Sequence, residues 1–334
     1  MDEFSGKLGA ARPLPAALVA IMHAIPKDAW PMDVLRTSIS ALAHYAPHRR
    51  DGSHVSDTDA AVNLIAKTPT IIAAWDRIRR GLEPIAPDPE LRLAANFLWM
   101  RSGELPIVEA ERALDTYFVL LSDHSYNAST FAGRVTASTR ADIYGAVTSA
   151  VATLAGDLHG GAPSKVMTML EEIGSPEKAE PYVRALLARG EKIMGMGHRE
   201  YKIRDPRAQH LETMAKNLTA KSGTKWYLIA RALEDASNKV LQELKPGRHI
   251  YANVEFYTAP TLSSLGVSSD EFTCLFAAGR MAGWCAHALE QAKENRLIRP
   301  QATYIGPDVH SFEPIDSRTA AASLPPRSSD GVLH

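Results

Sequence analysis

Residues 141 to 155 read ADIYGAVTSAVATLA, a helical run that is apolar on nearly every face. Such a helix has almost no side to offer water, so it belongs deep in a core with other elements around it. Its neighbours supply candidates. Residues 91 to 101 and 107 to 122 carry apolar positions at three-to-four spacing, and Phe272, Leu275, Phe276, Gly279, Gly283 and Ala286 line one stripe of a further helix. Asp205 followed by Pro206 reads as an N-cap with proline at the first helical position, opening a helix through about Asn217. Pro163 likewise opens one ending near Ile173. Period-two alternation is sparse, so the fold class expected is mainly α.

The 334 residues suggest about two domains at roughly 150 residues each. With 45% hydrophobic and 22% charged residues and a net charge of -1, the chain has no broad field to attract nucleic acid. An anionic ligand must therefore be held by local cations. The acidic start MDEFSGKLGA has no apolar core of a signal peptide, and no stretch of 18 consecutive apolar residues occurs. A cytoplasmic protein that neither crosses nor binds membranes is the expectation. Cys274 and Cys285 are too far apart along one helix to bridge, so buried free thiols are expected. From Pro307 onward the sequence is rich in Ser, Pro, Asp and Arg, and a flexible tail is expected from about 319.

Four clusters set polar residues beside glycines and helix starts. In SDHSYNAST, His124 suits a loop or cap as well as a ligand site. In GDLHGGAPSK, His159 precedes a helix N-terminus whose dipole disfavours the imidazolium, so a neutral ring could donate to a developing oxyanion; a plain tight turn is the alternative. GMGHREYKIRDPRA brings His198, Arg199, Lys202, Arg204 and Arg207 close behind glycines that permit backbone approach, which reads as an anion site. Glu255, in NVEFYTA, sits among β-branched and aromatic residues that would raise a carboxylate's pKa and strengthen it as a base. A partly exposed residue on a short extended segment is the competing reading. Arg280 lies off the apolar stripe of its helix and Arg299 just before Pro300, and each alone reads as a surface arginine. There is no GxxxxGK[ST], HExxH or CxxC, so no nucleotide loop and no metal site are expected.

These motifs, in this order and joined by GRMAGWCAHALEQAKENRLIRPQATYIGP, resemble the citrate synthase family from about Pro31 to Arg318. The resemblance implies a multi-helical subunit with a large domain, here 1–161 and 259–334, and an inserted small domain, 162–258. It also implies a homodimer and a transferase of the tricarboxylic acid cycle that joins acetyl-CoA to oxaloacetate, with no bound prosthetic group. In that scheme His159 stabilises the enolate, Glu255 takes the α-proton, and His198 polarises the ketone of oxaloacetate. His124, Arg207 and Arg280 hold the dicarboxylate, with Arg299 reaching in from the partner subunit. CoA lies along Met194, Gly195, Met196 and Gly197, with Arg199, Lys202 or Arg204 near its phosphates.

Three departures stand out. Glu255 replaces the family's usual Asp, SYNAST replaces an acidic residue after the histidine, and the usual N-terminal segment with short strands before PMDVLRT is missing. The last leads to an expectation of somewhat weaker dimer or substrate-domain packing. The nearest alternatives are a 2-methylcitrate synthase using propionyl-CoA and a catalytically silent, CoA-binding or regulatory homologue.

Overall fold

The computed structural model describes residues 2–46, 57–197, 203–244, 246–247, 250–306, 312 and 314–317. Among them the helices are α1 (Asp2–Ala11), α2 (Ala16–Ala24), α3 (Pro31–Leu42), α4 (Asp57–Arg79), α5 (Leu93–Ser102), α6 (Val108–Leu121) and α7 (Ala128–Ser138). They continue with α8 (Ile143–Leu154), α9 (Ala162–Ile173), α10 (Ala179–Ala188), α11 (Pro206–Ser222), α12 (Trp226–Leu244), α13 (Val254–Ser264) and α14 (Phe272–Lys293). The extended backbone that pairs at all is one antiparallel bridge, Met196 with Ala252, among the described residues. The mainly α expectation holds. Residues Met1–Ile298 form one compact unit and Arg299–His334 a second, in which Ile315–Ser317 makes a short 3-10 turn. The expected tail beyond 319 lies outside the described residues.

The all-apolar segment is α8, with Ile143, Val147, Ala150, Val151 and Leu154 buried. It lies against α3, α7 and α14, which is why nearly every face of it is apolar. Helix α14 is the other axis of the core, in contact with α4, α6, α7, α8 and α9. Its start is pinned by a buried charge cluster: Arg101 Nη2 donates to Glu271 Oε2 at 3.2 Å and its Nε to Asp76 Oδ2 at 3.2 Å. Burial pushes the Glu271 carboxyl up to about 7 against the pull of Arg101, Asp76 raising it further. Cys274 and Cys285 are buried free thiols, as expected.

Helices α9 to α13 pack largely on one another, α10 on α12 and both α9 and α11 on α13, while α11 also rests on α6 and α9 on α14. The helix opened by Asp205 runs to Ser222 rather than Asn217. Gly223, with φ at 69°, adopts the left-handed conformation that ends it, and the polar run before it gives no earlier stop. Helix α13 continues without a break through residue 258.

Candidate active site

The first wall of the site is the seam between α6 and α14. Gly279 and Gly283 are spaced one turn apart and let the two backbones approach. A Cβ at 279 would lie 3.2 Å from Leu121 Cβ, and one at 283 would press into the Ser122 carbonyl oxygen and lie 3.0 Å from Asp123 Oδ1. Arg280 lies in this seam, 1% exposed, its Nε donating to the Leu121 carbonyl at 2.6 Å. The expectation of an ordinary surface arginine is therefore corrected: the stripe marked by those glycines is wide enough to enclose position 280. The following loop carries His124, half-buried, whose carbonyl accepts from Asn127 Nδ2 at 3.3 Å. Ser125, with φ at 47°, turns the chain there, and Asn127 Oδ1 then caps α7 through the Thr130 N-H at 3.1 Å.

Asp123 in the same loop is held by His287, two turns beyond Arg280 on α14. His287 Nε2 stands 3.2 Å from Asp123 Oδ1, while Arg134 Nη1 donates to His287 Nδ1 at 3.1 Å. A guanidinium can only donate, so Nδ1 accepts and the ring proton sits on Nε2, facing the carboxylate. His287 thus ties the His124 loop to α7 and α14.

His159 occupies the turn between α8 and α9. The Ser129 backbone N-H donates to His159 Nε2 at 3.3 Å, with the Ser129 hydroxyl 2.8 Å away. A backbone N-H cannot accept, so Nε2 presents its lone pair and the neutral ring carries its proton on Nδ1. The ring is held neutral by burial first and by the positive charge of Arg280 second, both lowering its pKa. The neutral ring expected from the helix dipole is thus favoured also by enclosure and a nearby guanidinium. Gly160 is needed because a Cβ there would press into the Leu154 carbonyl oxygen and lie 2.7 Å from Thr273 Cγ2.

The third wall joins the GMG segment to the base candidate. Gly195 and Gly197 hold φ at 74° and 87°, a conformation that side chains resist. The Gly197 N-H donates to the Tyr251 carbonyl at 2.7 Å and the Asn253 N-H to the Gly195 carbonyl at 2.9 Å. Met194 to Gly197 is thus laid beside the residues leading into Glu255. Asn253 Oδ1 then caps α13 through the Phe256 N-H at 3.3 Å. Glu255 is half-buried in the first turn of that helix, with its Oε2 sealed from solvent. The extended-segment reading of Glu255 is corrected, because the Asn253 cap starts a helix that the short β-branched run alone does not announce.

Asp205, 1% exposed, draws two helix starts together. Its carboxylate caps α11 through the Arg207 N-H at 2.9 Å and accepts from the Val254 N-H at 3.2 Å, while Arg207 Nη2 donates to it at 2.8 Å. Arg207 and Arg280 consequently come near each other. Arg280 is lowered to about 10, by burial and then by the charge of Arg207, with Asp123, Tyr117 and Glu255 opposing. Two cations brought this close in a buried place are arranged for an anion.

The remaining expectations distribute differently. His198, Arg199 and Lys202 lie outside the described residues. Arg204 donates to Glu212 Oε2 at 2.7 Å and Glu234 Oε2 at 3.2 Å, so its guanidinium clasps α11 to α12. Arg299 is exposed in the second unit. Among the described residues no group of three or more His, Cys, Asp or Glu could hold a metal ion.

Tyr117 and His287 were not singled out by the sequence motifs, and Asp123, Ser129 and Asp205 were read at most as loop or cap residues. Two of them left a trace. His287 follows Arg280 by seven residues, the spacing that returns to one helix face, and Asp205 was legible as a cap though not as the partner of Arg207.

The family description "citrate synthase, C-terminal domain" matches residues 1–301. Citrate synthase 2 of Bacillus subtilis is 46% identical over 293 residues, 87% of this chain and 77% of that protein. The citrate/2-methylcitrate synthase of the same organism is 41% identical over 309 residues, 92% of this chain and 81% of that protein. The structure of Thermoplasma acidophilum citrate synthase in ternary complex with carboxymethyl coenzyme A and oxaloacetate superposes with a TM-score of 0.84 at 30% identity, covering 95% of this chain and 84% of that one. With sequence and backbone agreeing over nearly the whole length, the chain belongs to the citrate synthase family.

Proposed function

We propose that the chain condenses an acyl-CoA, acetyl-CoA foremost, with oxaloacetate and water to give citrate and free CoA. The observation that carries this reading is the buried Arg280, on which the charges of half-buried Arg207 and of Glu255 bear, with a neutral His159 close enough to feel it. Glu255 takes a proton from the carbon next to the thioester, and His159 Nδ1-H donates to the thioester oxygen as negative charge gathers there. The new carbanion attacks the ketone carbon of oxaloacetate. His198 delivers the proton that the ketone oxygen then needs, and water cleaves the thioester to release the carboxylic acid and CoA.

Arg207, Arg280 and His124 hold the dicarboxylate, the guanidinium forks matching carboxylates by two-point contact. Arg299 completes this set from a partner subunit in a homodimer. The adenine of CoA lies along Met194, Gly195, Met196 and Gly197, with Arg199 and Lys202 at its phosphates. Arg204 serves the phosphates only if it leaves Glu212 and Glu234. Residues 162–258, the proposed small domain, close on the rest when substrate binds, and the enzyme acts as a soluble acyltransferase in the cytoplasm. The name of the Bacillus subtilis citrate/2-methylcitrate synthase favours a second reading, in which propionyl-CoA is also accepted. One methylene discriminates by about 1 to 3 kcal/mol, so dual use is chemically ordinary.

Thiol release from acetyl-CoA and propionyl-CoA, with and without oxaloacetate, tests the proposal. Oxaloacetate-dependent release supports it, and the ratio of kcat/KM values ranks the two acyl groups. A folded dimer silent with both substrates would point to the silent homologue instead.

Arg207→Ala is expected to raise the KM for oxaloacetate by about 10- to 100-fold, the worth of a charge-assisted hydrogen-bond pair, with a smaller change in kcat. It also leaves the buried Asp205 without its fork, so the melting temperature falls with it. Steady-state kinetics at saturating acetyl-CoA checks the assignment, which an unchanged KM would overturn.

A further inference from the structure

Tyr117 lies on the inner face of α6, with no exposed surface. Its hydroxyl is buried without a hydrogen-bond partner among the described residues. A buried hydroxyl left unpaired costs free energy, and phenylalanine would fill the same space without that cost. Leu121, one turn further along the same face, supplies the carbonyl that anchors Arg280. The charges bearing on the phenol are Glu255 and Arg280, the proposed base and one of the proposed dicarboxylate ligands. Burial raises the phenol well above its ordinary range, Glu255 raises it further and Arg280 opposes. Tyr117 therefore remains an O-H donor throughout the physiological range. Other buried unpaired groups, such as Ser38 Oγ and Trp75 Nε1, share the burial. What separates Tyr117 from them is that its helix touches both α13 and α14 and that the charges of Glu255 and Arg280 bear on it.

We propose that Tyr117 is a positioning residue for proton abstraction: when oxaloacetate and acyl-CoA bind, its hydroxyl donates to one carboxylate oxygen of Glu255. The bond holds the carboxylate ionised and leaves the other oxygen turned to the substrate carbon. Helix α13 touches α6, so the elements carrying the two groups are already in contact. The buried hydroxyl, with no protein partner among the described residues, is then a donor available to Glu255. This inference rests on the condensation reading above.

Tyr117→Phe tests it, because the ring and its packing stay. The expected result is a kcat for CoA release lowered about tenfold with the oxaloacetate KM within about twofold of the parent. A donor to a carboxylate lowers its pKa, so losing it moves the acid limb of kcat to higher pH. The groups that set that limb are Glu255 on α13, Tyr117 from α6, Arg280 from α14, Arg207 with Asp205 from α11, and His159 before α9. The ligand-free melting temperature is expected to stay level or rise by about 1 to 3 °C, because the unpaired hydroxyl is gone.

Three results would overturn the proposal: parental kcat with an unmoved acid limb, a raised oxaloacetate KM at parental kcat, or a lowered ligand-free melting temperature accompanying the loss of activity. The first makes the hydroxyl idle, the second assigns it to the dicarboxylate through Arg280, and the third makes it structural. A readout free of turnover separates this inference from the condensation reading. The Glu255 carboxyl is titrated by 13C NMR with oxaloacetate and CoA present, its signal identified by loss in Glu255→Gln. A higher Glu255 pKa in Tyr117→Phe supports the hydrogen bond even if the parent releases no CoA, and an equal pKa overturns it.

Discussion

Glu255→Ala is expected to lower kcat by about 100- to 10,000-fold, the usual contribution of a positioned general base, while the oxaloacetate KM moves by less than about threefold. The asymmetry follows from when the carboxylate works. In the proposed role it meets a carbon-bound proton that leaves only in the transition state, so its removal hardly alters the ground-state complex. Arg207 and Arg280, the proposed ligands of the dicarboxylate, keep their own anchors in this variant. His159→Ala belongs to the same prediction, since the hydrogen bond it offers strengthens only as negative charge gathers on the thioester oxygen.

The pH profile adds a second check. Burial and Arg280 lower the His159 pKa below its ordinary 6.5. The ring is therefore neutral at pH 7, and its protonation inactivates the enzyme only as pH falls through that lower value. An activity loss already complete at pH 7 would contradict this. Glu255→Asp is the finer probe: a gain in kcat means a misfit of the longer side chain, and a loss means a backbone tuned to it. Near-parental kcat in Glu255→Ala, measured by thiol release at saturating substrates, would remove Glu255 from the proton-abstraction role.

Much of the frame could be read in advance because helices announce themselves locally. The apolar run that became α8 and the stripe that became α14 carry their burial in their spacing. The Asp205 cap was equally plain, since a side-chain acceptor before proline is a statement about neighbouring residues alone. What escaped was whatever depends on two distant segments meeting. Nothing near Tyr117 in the chain says that the charge of Glu255, 138 positions away, bears on it, or that a surface-like arginine at 280 is enclosed by the approach of α6. The neutral state of His159 was expected on local grounds, while burial and Arg280, which also favour it, come from other elements. The motifs named the chemical groups, while their mutual distances awaited the fold.

Gly283→Ala is expected to destabilise the protein and to raise the oxaloacetate KM together. In a helix interior the exchange alone favours alanine by about 1 kcal/mol. At 283 the added methyl meets the Ser122 carbonyl oxygen and, at 3.0 Å, Asp123 Oδ1. The carboxylate oxygen can rotate aside, but the Ser122 carbonyl and Asp123 Cα, 3.2 Å from the added methyl, are backbone, so α14 and the His124 loop must separate. Overpacking of this kind costs about 1 to 3 kcal/mol, or a melting temperature lower by about 2 to 10 °C. The displaced loop carries His124, and the same movement draws Arg280 Nε away from the Leu121 carbonyl. Binding of the dicarboxylate therefore suffers along with stability. Gly6→Ala is the matched control: it too lies within a helix, and a Cβ there meets nothing within 4 Å. Calorimetry should show Gly6→Ala level with the parent or slightly above it. If Gly283→Ala melts with this control and keeps the parental KM, the close approach of α14 to the Ser122 carbonyl is not what shapes the site.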